Sequence, residues 1–226
     1  MVLTLLPVGP PSDSPILNKT FNSLTLDVQL SQFEQFRERS FESYHEGRHK
    51  LLTVCFNFRS AITNELKNRL PWSMDYTRAL YTFDIGQNDL QAWIISKKQE
   101  QLKTYIPTII NEFASVLEKL HKGGARTFWV HNTSPFGCLS VIVKFFPPAP
   151  NITDKSGYVK SYNKIAQDFN KQLKVKVSLL RTQFQEAMLV FVDIYSVKYS
   201  LINEANKHGK QVSSFFSFFL KGVNYS

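Results

Sequence analysis

One short stretch of the chain combines an apolar run with a side chain that could stabilise a negative charge. It reads Ala79-Leu-Tyr-Thr-Phe-Asp-Ile-Gly-Gln-Asn-Asp-Leu90. The apolar part predicts a buried parallel strand, and Gly86 permits a backbone turn that a residue with a Cβ would resist. Ligands of open α/β sheets bind at the carboxyl ends of the strands, where the Asn88 amide could donate to an oxyanion. An ordinary turn closed by Asx hydrogen bonds explains the same residues.

A second pattern, His45-Glu-Gly-Arg-His49, has the spacing of two zinc-binding histidines on one helix face, with Glu46 as a base. Gly47 weakens the helix that this motif requires, by about 1 kcal/mol relative to Ala. Glu65 could be a third ligand only if the chain returned to this helix. We interpret the segment as a polar helix end before a loop, and expect no metal and no other cofactor.

Two further polar residues follow apolar runs, and each has two explanations. His131 ends the run Arg126-Thr-Phe-Trp-Val-His131 and is either a hydrogen-bonded structural residue or part of a site. Asp193 ends the run that begins at Met188. It either lines the crevice at the sheet edge or caps the helix that follows.

The composition is that of a globular protein large enough for one α/β domain. The chain has 226 residues, of which 43 % are hydrophobic and 14 % aromatic. Its net charge is +9, but the basic residues are scattered. The densest groups, Lys97-Lys98 and Lys171, Lys174 and Lys176, fall on amphipathic helices. Solvated helix faces explain these groups best, and we expect no nucleic-acid partner.

The two cysteines leave the redox compartment open, whereas the N-terminus predicts the cellular compartment. Cys55 and Cys138 do not form a disulfide framework or a C-x-x-C metal pair. Glycosylation sequons begin at Asn18, Asn132, Asn151 and Asn224, and the polar, Pro-flanked Asn18 and Asn151 are the first candidates. The N-terminal apolar run is broken by prolines too early for a signal peptide, so we expect a cytosolic, unglycosylated chain. We expect no transmembrane segment.

Periodicity predicts alternating strands and helices. Helices are expected over residues 26–44 and 61–70, from about 102 to Gly123-Gly124, over about 154–186, and from the end of the last strand to Gly209. Pro107 should kink the second long helix or mark a start nearby. Strands are expected at 79–85, 126–131 and 188–195. The prolines of residues 1–25 predict an irregular segment.

Four blocks, in order, resemble the plant GDSL-type esterases and lipases of the SGNH hydrolase superfamily. They are Leu26–Phe36, Asp84–Leu90, Gly124–Asn132 and Asp193–Ser200 with its continuation to His208-Gly209. The resemblance implies a flavodoxin-like, three-layer αβα fold with a five-stranded parallel sheet. It also implies hydrolysis of small ester or lipid substrates by Ser, His and Asp, with Asn88 as an oxyanion-hole donor. Relatives of this type are mostly secreted.

The other catalytic blocks of that family do not match. No Gly-Asp-Ser occurs, and no Asp is followed three positions later by His. Pro11-Ser-Asp-Ser14 follows prolines and is a poor nucleophile candidate, and Gly9 cannot be matched to the second-block Gly. Tyr158 occupies a position where relatives often have Cys, which argues against a disulfide of Cys138.

We therefore expect an incomplete fold. Residues 1–25 form an irregular segment, 26–209 a partial hydrolase domain and 210–226 a divergent Phe-rich tail. The function expected is that of a carboxylic ester hydrolase by family, catalytically incomplete here. The alternative is a non-catalytic remnant that binds other molecules through exposed apolar surface, and the oligomeric state is open.

The resemblance also predicts an unpaired sheet edge, because the family's nucleophile strand lies inside the sheet. Leu3–Leu6 or Leu51–Phe58 could cover this edge. The second has the stronger β composition. We expect a marginally stable core, with Phe215–Leu220 poorly packed.

Overall fold

A computed structural model describes residues 2–5, 25–49, 70–95, 99–139, 142, 153–154 and 158–204. Its four strands are β1 (Val2–Leu5), β2 (Leu80–Asp84), β3 (Thr127–His131) and β4 (Met188–Val192). Its helices are α1 (Leu26–His49), α2 (Ser73–Arg78), α3 (Gln87–Ile95), α4 (Gln99–Lys122), α5 (Lys160–Gln183) and α6 (Ile194–Asn203). A short 3-10 helix spans Phe136–Cys138.

The strands form one parallel sheet in the order β1-β2-β3-β4. In register, Tyr81 pairs with Phe128, which pairs with Leu189. Parallel strands need crossover connections, and α4 and α5 supply them between β2 and β3 and between β3 and β4. The carboxyl ends of the four strands therefore lie at the same edge of the sheet, where each strand is followed by a loop or a helix.

One face of the sheet carries the core. Phe83 meets Phe113 of α4 with ring centroids 5.5 Å apart, and Tyr81 meets Phe33 of α1 at 5.9 Å. The helix predicted from about residue 102 is confirmed as α4. Its apolar stripe is buried from its first turn to its last: Leu102, Ile106, Ile109, Ile110, Phe113, Val116, Leu117 and Leu120. Full burial of one such side chain stabilises the fold by about 1.5–3 kcal/mol.

The opposite face is less completely covered. It presents Thr82, Trp129 and Met188, of which Trp129 is 41 % exposed and Met188 57 % exposed. A parallel sheet with flanking helices confirms the α/β class. The uneven coverage of its two faces agrees with an incomplete three-layer arrangement.

The expectation that residues 1–25 are irregular is wrong at Val2–Leu5, which form β1. This strand pairs along its whole length with β2, from Val2 opposite Leu80 to Leu5 opposite Phe83. The edge of β2 is thus covered by the segment with the weaker β composition, because pairing with a buried neighbour outweighs local propensity. The rival segment, 51–58, lies outside the described residues.

Helix boundaries differ from prediction in several places. Helix α1 continues to His49, α5 begins only at Lys160, and α6 ends at Asn203, before Gly209. The short helix α3 was not predicted. Helix α4 runs through Pro107 without a break and ends where expected, before Gly123-Gly124.

The C-terminus of α4 shows the expected glycine cap. Gly124 has φ +101°, and the Ala125 amide donates to the Leu120 carbonyl at 3.0 Å. This is the left-handed ending that glycine favours. Of the helix predicted at 61–70, only the last residue is among the described residues. The Phe-rich tail and the predicted boundary at 209–210 lie outside them.

Candidate active site at the carboxyl edge of the sheet

The turn that ends β2 depends on Gly86. Its φ is +96°, and a Cβ at this position would lie 2.5 Å from Cε1 of the Phe169 ring in α5. The carbonyl of Gly86 accepts from the Leu90 amide at 3.0 Å, so Gly86 directly precedes α3 and accepts a hydrogen bond of its first turn. Backbone conformation and lack of space both require glycine here.

Asn88 is the second residue of α3 and is half-buried. The structure thus places it just beyond the carboxyl end of β2, in the first turn of a helix. The amides of a first helical turn point toward the N-terminal end and favour negative charge. The location at the sheet edge agrees with the sequence prediction, although the residue lies in a helix and not in an open turn. Its role in an oxyanion hole stays a prediction.

Asp89, the next residue, is a buried carboxyl that sequence reasoning did not single out. It is 1 % exposed, and its Oδ2 has no hydrogen-bond partner. Burial raises the pKa of Asp89 well above its usual range, Glu112 raises it further, and a backbone hydrogen bond lowers it. The residue lies in the protein interior, directly after Asn88 in the first turn of α3.

Asp84 and His131 are in-register partners at the carboxyl ends of β2 and β3. Both are half-buried. Burial raises the pKa of Asp84, while the charges of Lys198 and His131 oppose that rise. Lys198, on α6, also donates to the Ser134 hydroxyl at 2.8 Å. His131 therefore lies in a polar cluster at the edge, and both explanations of it stay open.

Asn132 ties the loop after β3 to the start of α6. Its Nδ2 donates to Asp193 Oδ1 at 2.8 Å, and its Oδ1 accepts from the Tyr195 amide at 2.8 Å. Asp193 also accepts from the Ser196 amide at 3.1 Å and the Ser196 hydroxyl at 2.7 Å. Burial pushes the pKa of Asp193 upward, but the bonds from Ser196 and Asn132 outweigh it and lower the pKa. The helix-cap explanation of Asp193 is confirmed.

Two amides of α5 fix the same loop from the other side. Asn170 accepts from the Thr133 amide and donates to the Thr133 carbonyl, both at 2.9 Å. Asn163 accepts from the Gly137 amide at 2.8 Å. Sequence reasoning missed both residues. The sequence did contain a signal: both are polar residues within the same buried helix face as the apolar Ile165, Phe169 and Leu173.

Comparison with known proteins settles the family. The family model of the GDSL-like lipase/acylhydrolases matches residues 12–214. The chain belongs to this family. Among its curated relatives is an esterase of Hevea brasiliensis, 43 % identical over 189 residues. A GDSL esterase/lipase of Arabidopsis thaliana is 40 % identical over 186 residues, and a protein named alpha-L-fucosidase 3, also of Arabidopsis thaliana, is 37 % identical over 198 residues.

The matched region is a large part of this chain but a smaller part of each relative. It covers 84 % of the chain and 44 % of the Hevea esterase, 82 % and 44 % for the Arabidopsis esterase/lipase, and 87 % and 49 % for the fucosidase. The chain thus spans a little under half the length of these GDSL-family relatives.

Cys138 and the sequons can be placed in part. Cys138 is a buried free thiol; burial raises its pKa to about 11, and a hydrogen bond from Asn163 opposes the rise. This agrees with the argument against a Cys138 disulfide. The sequon residue Asn132 is 4 % exposed and hydrogen-bonded through its Nδ2. Asn18 and Asn151, the favoured glycosylation candidates, lie outside the described residues.

The expectation of no metal stays a prediction. The His45–His49 segment ends helix α1, as interpreted, but its side chains and Glu65 lie outside what the structure describes. Within the described residues, no cluster of His, Cys, Asp and Glu could hold a metal ion. No described helix is both long and apolar enough to cross a membrane.

Proposed function

We propose that the chain contributes Asn88 as an oxyanion-hole donor to a site that hydrolyses carboxylic esters. Membership of the GDSL-like lipase/acylhydrolase family supports the reaction class. The observation that carries the proposal is the position of Asn88, two residues after Gly86, at the edge where parallel sheets bind ligands. An amide held there can donate to the oxygen that becomes negative when an ester carbonyl is attacked.

Asn88 alone cannot sustain the reaction. Ester hydrolysis of this kind also needs a nucleophile and a base, and the sequence contains neither Gly-Asp-Ser nor Asp-x-x-His. We therefore expect no ester turnover from the chain as given. The relatives' names include both esterases and a fucosidase, so the substrate class within the proposal rests on the family description.

The test begins with the folded chain and a p-nitrophenyl ester, compared with a heat-denatured sample. A rate equal to the denatured control is expected. Turnover that survives purification and is abolished by a serine-reactive fluorophosphonate would overturn the incomplete-site part of the proposal. A chimera supplies the missing groups: this chain replaces the matched region of the Hevea esterase, and the chimera should regain turnover.

The alternative from a different class is a binding protein with exposed apolar surface. The observation that favours it is the partly uncovered sheet face at Trp129 and Met188. The chimera separates the two proposals. A folded chimera without turnover, while the parent esterase is active, would favour the binding function.

A further inference from the structure

A groove between α4 and α5 is separate from the carboxyl edge of the sheet. Its volume is about 640 Å³. Its apolar lining comes from both helices: Ile106, Pro107, Ile110, Val175 and Leu179. Neither Asn88 nor Asp84 lines it. It therefore has no part in the proposed ester site.

The apolar lining has a buried floor and an exposed rim. Ile106 and Ile110 are 1 % and 3 % exposed, so they form the floor. Val175 and Leu179 are 57 % and 52 % exposed, one turn apart on the solvent side of α5. The predicted amphipathic character of α5 fails at these two positions. Exposed aliphatic side chains beside an apolar concavity are typical of a binding surface.

The polar lining is cationic. Lys103, Lys171 and Lys176 border the groove, and Asp168 is the carboxylate among its lining residues. Asp168 is already paired, with its Oδ1 3.2 Å from Nζ of Lys164. With three lysines and one carboxylate, the lining has a net positive charge. Lys171 and Lys176 belong to the dense basic group of the sequence for which a solvated helix face was the expected explanation.

We propose that this groove binds a free, single-chain anionic amphiphile, of the chemical class of long-chain carboxylates. The volume falls within the range of about 300–1,000 Å³ typical of small-molecule sites. The lining extends over about 12–16 Å of helix, at 1.5 Å per residue, which suits an acyl chain laid along the seam. Lysines at the border supply the attraction for its head group.

The charge complementarity and the concave shape select this occupant. A flat bilayer surface would meet the rim at Val175 and Leu179 but would not reach Ile106 and Ile110 on the floor. An extended chain can fill a seam of this volume and still present its carboxylate to Lys171 or Lys176. The proposal is independent of the ester-hydrolase site.

The test uses the full chain and dansyl-labelled undecanoic acid as the fluorescent probe, with the corresponding dansyl alcohol as its uncharged analogue. Saturable binding is expected, tighter for the acid than for the alcohol. Lys171→Glu/Lys176→Glu should weaken acid binding at least about tenfold and leave alcohol binding nearly unchanged. Val175→Asp, a change at an exposed position, should weaken both probes.

The matched control is Lys119→Glu/Lys160→Glu, which makes the same total charge change at exposed positions of α4 and α5 outside the groove. It should change acid affinity by less than about twofold, because exposed charges far from the ligand are largely screened. Equal weakening in both double variants would overturn the proposal, as would the lack of saturable binding. Co-flotation with phosphatidylglycerol vesicles that depends on Lys171 and Lys176, without probe binding, would assign the groove to a membrane surface instead.

Discussion

Replacement of Gly86 by Ala should destabilise the fold more than the same replacement at Gly123 or Gly124. Two effects add. A non-glycine residue in the left-handed region loses about 1–2 kcal/mol. The new Cβ, 2.5 Å from the Phe169 ring, adds an overpacking penalty of about 1–3 kcal/mol. The expected decrease in the free energy of unfolding is therefore about 2–5 kcal/mol, a large part of the usual 5–15 kcal/mol.

Two other glycines separate the two effects. Gly124 has φ +101°, but the atom nearest to a new Cβ would be the methyl of the exposed Thr77, at 3.2 Å. Gly124→Ala should show the backbone effect alone, about 1–2 kcal/mol. At Gly123 the atom nearest to a new Cβ would be Nη1 at the far end of the Arg37 side chain, at 2.7 Å, and the nearest backbone atoms would lie at an ordinary 3.4 Å. Gly123→Ala should change stability by less than about 0.5 kcal/mol.

The assay is urea unfolding monitored by circular dichroism. The slope of the unfolding free energy against urea concentration should be the same for all variants, which shows that the unfolded states are equally compact. A Phe169→Leu background removes Cε1 and Cζ, the ring atoms closest to the new Cβ. Gly86→Ala should then lose its overpacking part, which appears as a coupling energy of about 1–3 kcal/mol in the double-mutant cycle. The reasoning is refuted if Gly86→Ala is no more harmful than Gly124→Ala, or if the Phe169→Leu background does not reduce its effect.

Three further predictions follow from the buried polar groups. Although burial opposes it, hydrogen bonding lowers the pKa of Asp193, so its contribution to stability is present above the unfolded pKa and lost as the pH falls through the folded pKa. Acid unfolding of Asp193→Asn should therefore show a shallower pH dependence, and an unchanged one would contradict this. Burial raises the pKa of Asp89, so its effect on stability becomes less favourable as the pH rises from the unfolded to the folded pKa. Asp89→Asn should thus be more stable than the parent at neutral pH but not below about pH 4, and urea midpoints at the two pH values decide this. In a secretory host Asn132 should stay unmodified, because its Nδ2 is buried and bonded. Peptide mapping that finds glycan there in folded protein would disprove it, whereas glycan at Asn18 or Asn151 would not.

Strong local patterns predicted the central elements of the fold. The apolar runs gave β2, β3 and β4 to within a few residues, and the 3.6-residue periodicity gave the buried stripe of α4. The error at the end of β4 has a local cause, because Ile194 and Tyr195 continue the apolar run past the helix cap at Asp193. Composition alone does not show at which residue a strand ends and a capped helix begins.

The remaining errors came from contacts that are distant in sequence. Strand β1 forms because Val2–Leu5 find a buried partner some 78 positions away, and no local signal marks that pairing. Helix α3 was missed because Gly-x-Asn-Asp is also a common turn pattern. At the site, Asn88 was found from the strand that precedes it. Asn163 and Asn170 were not found, because the backbone groups that they bind lie in the loop after β3, far away in sequence.

The most direct test of the central claim measures kcat of the chimera between this chain and the Hevea esterase. If Asn88 is an oxyanion donor, Asn88→Ala should lower kcat about 10²–10³-fold. Asn88→Asp, which keeps the shape but replaces the donor, should be at least as harmful. Gln87→Ala, on the same helical turn, should retain most of the activity. An Asn88→Ala chimera that is folded and keeps kcat within about threefold of the parent chimera would contradict the claim.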